Sequence, residues 1–105
     1  MLMQTERLYS FLGMAQKAGK IKAGHAAVTI DLKNKRPALL LIAADASDGT
    51  TKKFSNQAKK KNIPICVAGK TDRIGKAIGK SKRSVLTISD TNLVKEILQA
   101  VGDQN

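Results

Sequence analysis

Cysteine is nearly absent, and its scarcity excludes two chemistries. The single Cys66 cannot form an internal disulfide and cannot assemble a cysteine zinc site. It stands in the apolar run Ile63-Pro64-Ile65-Cys66-Val67-Ala68, where a small buried hydrophobe is expected rather than a reactive thiol. Such usage fits a reducing, cytoplasmic compartment. Aromatics are scarce too: Tyr9, Phe11 and Phe54, with no tryptophan. RNA-recognition sheets and oligonucleotide-binding barrels stack bases on exposed rings. All three rings here lie in segments with helical patterning, so single-strand stacking is disfavoured. Two prolines and eight glycines argue against a disordered or collagen-like chain. The longest apolar run, Ala38 to Ala44, is far short of the roughly 20 residues that cross a bilayer, so no membrane partner is expected. Met1 to Arg7 holds no basic region followed by an apolar stretch, and no signal peptide is expected. At 105 residues, one domain over 1–105 is expected.

Acidic residues are the last shortage, and it is uneven. Nineteen Lys and Arg stand against eight Asp and Glu, a net charge of +11. Residues 17–83 hold 17 bases and only Asp31, Asp45, Asp48 and Asp72, whereas the two ends together are slightly acidic. A solubilising coat interleaves both signs. A polyanion relieves the repulsion of a one-sign surface and releases counterions, which points to nucleic acid.

The hydrophobic pattern predicts alternating helices and strands. Leu8, Phe11, Leu12 and Ala15 fit one helix face, with Thr5 as cap and Gly19 as terminator. Lys20 to Lys22 is a connector or short strand. His25 to Arg36 is ambiguous: Val28, Ile30 and Leu32 alternate as in a strand, while Ala26, Ala27 and the length favour a helix that Pro37 ends. Ala38 to Ala43 reads as a strand buried on both faces, and Ile63 to Ala68 as a second. Between them Ser47 or Asp48 caps a helix over Thr50 to Lys61. Thr71 to Ile78 is a short helix closed by Gly79, and Val85 to Ile88 a further strand. Asp90 caps a last helix with Leu93, Val94, Ile97, Leu98 and Val101 on one face. Alternation of this kind implies an α/β sandwich with a mixed or parallel sheet.

Catalytic readings fail on spacing. Gly69-Lys70-Thr71 and Gly79-Lys80-Ser81 suggest phosphate loops, but such a loop needs a glycine five residues before its Gly-Lys pair. Those positions are Pro64 and Ile74. The apolar run ending at Asp45 is similar to a magnesium-binding strand, yet it precedes both candidates. The lone His25 has no metal-ligand neighbours, there is no Gly-x-Ser-x-Gly elbow, and the carboxylates are isolated. No enzyme activity and no small-molecule cofactor are expected.

Three ordered blocks carry a resemblance. They are Leu12-Gly13-Met14-Ala15-Gln16-Lys17-Ala18-Gly19-Lys20-Ile21-Lys22-Ala23-Gly24, then Leu40-Leu41-Ile42-Ala43-Ala44-Asp45-Ala46-Ser47, then Asn62-Ile63-Pro64-Ile65 with Ile74-Gly75-Lys76-Ala77-Ile78-Gly79. Together they resemble the ribosomal protein L7Ae and L30e superfamily, and within it the small bacterial YlxQ-like branch. The resemblance runs from about Leu8 to Leu98. It implies a three-layer α-β-α sandwich with a mixed four-stranded sheet, and a helix for the ambiguous stretch. It implies binding to structured RNA, in many members to kink-turns, which are sharply bent internal loops with tandem sheared G·A pairs and a flipped-out nucleotide. In those members the second helix enters the major groove at the G·A pairs, where a glycine lets the backbone approach; Gly24 takes its place. A loop after the fourth helix covers the flipped nucleotide, here Gly79 to Val85.

The sequence departs from that pattern at the base-reading positions. Kink-turn readers carry polar or charged side chains two, three and six residues after the glycine, where this chain has Ala26, Ala27 and Ile30. Each good base-edge pair supplies roughly 1–3 kcal/mol of discrimination, so the G·A readout is weakened. In the second loop the family's apolar and proline positions are Lys80 and Arg83, which favours phosphates. The expected ligand is therefore structured RNA, ribosomal in origin, held by a monomer. Lys20, Lys22, Gly24 and His25 form one lip of the site; Lys76, Lys80, Lys82 and Arg83 form the other. Lys33 partly replaces the missing lysine. Lys52, Lys53, Lys59, Lys60 and Lys61 read as a solvated helix face. The rival reading is a protein-interaction module that kept the fold and lost specific RNA recognition.

Overall fold

The computed structural model describes residues 4–102. Its elements are α1 (Gln4–Lys17), β1 (Ile21–Ala23), α2 (His25–Asn34), β2 (Leu39–Ile42), α3 (Asp48–Lys60), β3 (Ile65–Val67), α4 (Thr71–Ala77), β4 (Val85–Ile88) and α5 (Thr91–Gly102). The strands form a mixed sheet in the order β1-β4-β2-β3. β2 and β3 are parallel, joined across α3, while β4 runs antiparallel to both β1 and β2.

Two apolar layers sandwich the sheet, and alternation along the central strands divides the side chains between them. Leu39, Leu41, Leu86 and Ile88 point into the layer built by α1, α4 and α5. Leu40, Ile42 and Val85 point into the layer built by α2 and α3, with Val28, Leu32, Phe54 and Ala58. β2 and β4 are covered on both faces, which is why the apolar run at 39–42 shows no alternation. The one polar residue buried in β4, Thr87, donates its hydroxyl to Asp31 Oδ2 of α2 at 2.6 Å.

The ambiguous stretch is a helix, as the resemblance implies: Val28 and Leu32 are buried one turn apart, and Ile30 between them is 60% exposed. Other expectations shift. β3 is not a strand buried on both faces. It is an edge strand of three residues with β2 on one side only, so Cys66 is buried while Val67 is left 52% exposed. In α5 the buried positions are Val94, Ile97 and Ala100, and Leu98 lies on the exposed side. Thr5, expected as a cap, falls inside α1; its side chain and Met1 to Met3 lie outside the described residues. Ser47 does cap α3, accepting the Thr50 N–H at 3.1 Å, and Asp90 caps α5, accepting the Leu93 N–H at 3.0 Å.

Asp45 has a structural task. Its Oδ1 accepts the Thr71 backbone N–H at 2.9 Å, and its Oδ2 accepts the Thr71 hydroxyl at 3.2 Å, which ties the end of β2 to the start of α4. The Thr71 N–H is the main reason its carboxyl sits below the ordinary value of 3.8. A lowered folded-state value stabilises the fold above the unfolded-state pKa and ceases to do so as pH falls through the folded one. Asp45→Ala is therefore expected to be less stable than the parent near neutral pH, with the gap closing in strong acid. Urea unfolding across pH measures this, and a gap independent of pH would refute the assignment.

Candidate nucleic-acid interface

One end of the sheet gathers the loops that matter. The Gly24 N–H donates to the Val85 carbonyl at 3.0 Å and the Ala43 N–H to the Ser84 carbonyl at 2.8 Å, so the exits of β1 and β2 meet the entry of β4. Gly24 is the N-cap of α2, with φ 97° and ψ 160°, a backbone state that L side chains rarely adopt. No side chain caps this helix. Its first-turn amides thus have no intrahelical acceptor and carry the positive end of the helix dipole.

The basic loop closes on this point. After α4 the chain folds back so tightly that the Lys80 N–H donates to the Gly75 carbonyl at 2.8 Å and the Arg83 N–H to the Thr71 carbonyl at 3.1 Å. Arg83 is half-buried, and its Nη1 donates to the Ser81 hydroxyl at 2.8 Å and to the Lys82 carbonyl at 3.0 Å. The guanidinium therefore clamps its own loop. A Cβ on Gly24 would meet the Arg83 Nε at 3.6 Å, an ordinary contact distance, so φ rather than crowding requires glycine there. Ala23, Gly24, His25, Ala26 and Ala27 line an open cleft with Lys82, Arg83 and Ser84. Lys82 is exposed on its loop side, and the exposed Lys80 lies two residues earlier in the same loop.

His25 opens α2 and is exposed, yet it is not merely solvated. Its ring meets the buried Phe54 ring edge-on, with centroids 5.1 Å apart at 70°. The Lys53 ammonium lies 5.3 Å from the centroid of the same ring. Lys53 of α3 and His25 of the cleft thus share one ring. The place of Lys53 in a run of lysines hid this, and only the buried ring beside it in sequence could have singled it out.

The other sequence candidates are dispersed. Lys20 precedes β1, at the sheet end where its carbonyl accepts the Ser89 N–H, opposite to Gly24. Lys22 is exposed on the edge strand β1, in register with Thr87. Lys33 lies in the last turn of α2, where its carbonyl accepts Lys61 Nζ at 2.6 Å. Lys76 faces a pocket on the α1 side with Glu6, Tyr9 and Arg73. There Arg73 pairs with Glu6 at 2.6 Å and stacks over the Tyr9 ring. The structure brings together Gly24, His25, Lys82 and Arg83, with Lys80 earlier in the same loop. It does not bring Lys20, Lys33 or Lys76 to that cleft.

The arrangement offers backbone amides, one imidazole and several ammonium groups, which suits binding of phosphate oxygens. Among the described residues no three His, Cys, Asp or Glu side chains converge on a metal site, and no helix is long and apolar enough to cross a membrane. Burial pushes the Cys66 thiol above its ordinary pKa, which makes it a poor nucleophile.

Comparison with known proteins places these features. The model of the family described as ribosomal protein L7Ae/L30e/S12e/Gadd45 matches residues 6–98. The RNA-binding protein YlxQ of Bacillus subtilis (strain 168) is 28% identical over 90 residues, covering 86% of this chain and 90% of that protein. The RNA-binding protein YlxQ of Enterococcus faecium is 26% identical over 96 residues, covering 91% and 92%. Among solved structures, a protein of unknown function from Bacillus halodurans C superimposes with a TM-score of 0.84 at 27% identity, covering 91% of this chain and 97% of that one. The Giardia lamblia 15.5kD RNA binding protein gives 0.73 at 21% identity, covering 95% and 86%, a likeness of fold alone.

Proposed function

Because the chain belongs to the ribosomal protein L7Ae/L30e/S12e/Gadd45 family, we propose that it binds structured RNA, ribosomal in origin, at the cleft between Gly24 and the Lys80 to Arg83 loop. The observation that carries this reading is the uncapped start of α2 set against that basic loop. The names of the YlxQ relatives agree with it. Binding is mainly through phosphates. The first-turn amides, His25, Lys53, Lys80 and Lys82 contact RNA, while Arg83 holds the loop in shape. Lys22 extends the same surface, and Lys20, Lys33 and Lys76 make only outlying contacts. Kink-turn readout is weakened, because Ala26 and Ala27 line the cleft without a donor or acceptor for a guanine edge.

Titration against a kink-turn RNA and a plain duplex of equal length, at several salt concentrations, tests this. Similar affinity for both, falling steeply with salt, is the expected result. Lys80→Glu with Lys82→Glu is expected to lower affinity about tenfold or more near 0.1 M salt. These two side chains make no hydrogen bond or ion pair within the described residues, so their replacement leaves the loop intact. Unchanged affinity in that double variant would reject the cleft as the site. Ile30, exposed on α2 where kink-turn readers carry a lysine, favours the second reading, a protein-interaction module. That reading predicts no measurable affinity for either RNA.

A further inference from the structure

The outer face of α3 carries more charge than the cleft uses. Lys52, Lys53, Lys59 and Lys60 are all exposed, and Phe54 and Ala58 fill the opposite, buried side. At 3.6 residues per turn the four lysines fall within an arc of about 120°, and from first to last the helix rises about 12 Å. No acidic residue occurs between Asp48 and Asp72. Among the described residues none of the four lysines forms an ion pair. A face that serves solubility alone interleaves both signs, whereas this one keeps an uncompensated self-repulsion that a polyanion would relieve.

The face is also continuous with the cleft. Lys53 and His25 contact the same Phe54 ring, so the lysine face of α3 adjoins the His25 end of the cleft. We propose that α3 is a second RNA-contact surface, which takes the phosphate backbone of a helical stem extending from the structure held at the cleft. This rests on the RNA-binding reading above. The arc holds lysines and Asn56 but no ring and no guanidinium, so it grips any stem without reading its sequence. The groove between α2 and α3, lined by Thr29, Leu32, Gln57 and three lysines, Lys33, Lys60 and Lys61, would suit a peptide instead. Of the four face lysines only Lys60 reaches it; Lys52, Lys53 and Lys59 do not line it, which favours RNA as their partner.

The test uses the full chain and the triple variant Lys52→Gln, Lys59→Gln, Lys60→Gln. Glutamine matches lysine in helix propensity, so the fold is retained, and a thermal melt checks this. Two probes share one kink-turn loop: one has a short stem, the other the same stem lengthened by a helical turn. The parent is expected to bind the long-stem RNA about tenfold more tightly, with a steeper salt dependence. The triple variant is expected to lose that advantage and to lower the salt slope on the long stem by about 2–3, at roughly 0.7–0.9 per phosphate contact. Its short-stem affinity stays at the parental value. If the triple variant binds the long stem as the parent does, with the same slope, the proposal is overturned and the lysines serve a protein partner or solvent. Failure of the parent on the short-stem RNA would instead overturn the reading of the cleft, which separates the two.

Discussion

Gly75→Ala is expected to lower the melting temperature by roughly 10–20 °C and to open the loop that carries Lys80, Lys82 and Arg83. Gly75 lies buried in α4, and a Cβ placed on it collides with the Ser81 carbonyl oxygen. The Ser81 carbonyl carbon would be 2.6 Å away and the Lys80 oxygen 3.1 Å. All three atoms are backbone, so no side-chain rotation relieves the collision. Relief requires the loop to move, which breaks the Lys80-to-Gly75 and Arg83-to-Thr71 hydrogen bonds. Overpacking a tight site costs about 1–3 kcal/mol, and the lost bonds add to that. A small domain shifts its melting point by about 4–8 °C per kcal/mol. Gly49→Ala is the control. It lies in the first turn of α3 with nothing within 4 Å of a new Cβ, and is expected to stabilise by about 0.4–1 kcal/mol. Circular-dichroism melts of the two variants give opposite signs if the close approach at Gly75 shapes the loop. A Gly75→Ala protein that melts with the parent would end that account.

That glycine also shows where the sequence stopped being legible. The element order was legible because it depends on local signals: the unbroken apolar run at Leu39 to Ile42, the caps at Ser47 and Asp90, and the apolar face of α5. The state of 25–34 was not legible from its own pattern, and only the family resemblance gave the helix. Val28, Ile30 and Leu32 fit a period of two as well as they fit a helix, and only packing against Phe54 and β4 decides for Val28 and Leu32. The edge position of β3 depends on sheet order, which no local pattern encodes. The site divides in the same way. A glycine and a basic loop stand out in the sequence, but their meeting is a long-range fact, made by the Gly24-to-Val85 bond and by the fold-back at Gly75. Lys76 sits one residue from Gly75 yet faces α1, because a helix turns consecutive side chains by about 100°. Asp45 ends a run similar to a magnesium-binding strand, a reading that motif order already set aside, and its partner across the turn, Thr71, makes it a tie between β2 and α4.

Phe54 joins the core to the interface, and its replacement separates their contributions. The ring is fully buried among Val28, Leu32, Leu40, Ile42, Ala58, Ile63 and Val85. Phe54→Ala leaves a cavity in the α2–α3 layer and is expected to cost about 3–5 kcal/mol, a large share of the 5–15 kcal/mol that holds such a domain together. Its melting point should fall by roughly 15 °C or more, and RNA affinity with it. That result alone cannot separate unfolding from loss of the site. Phe54→Leu can. Leucine fills much of the volume and is expected to cost less than about 1.5 kcal/mol, so the fold survives. It removes the ring edge that orients His25 and the ring face beneath Lys53. Folded Phe54→Leu protein should therefore bind RNA several-fold more weakly than the parent at the same salt concentration. The double variant His25→Ala, Phe54→Leu should lose less than the sum of the two single losses, because residues in contact do not add. Parental affinity in folded Phe54→Leu would mean that the ring positions neither group, and that the cleft depends on its loop alone.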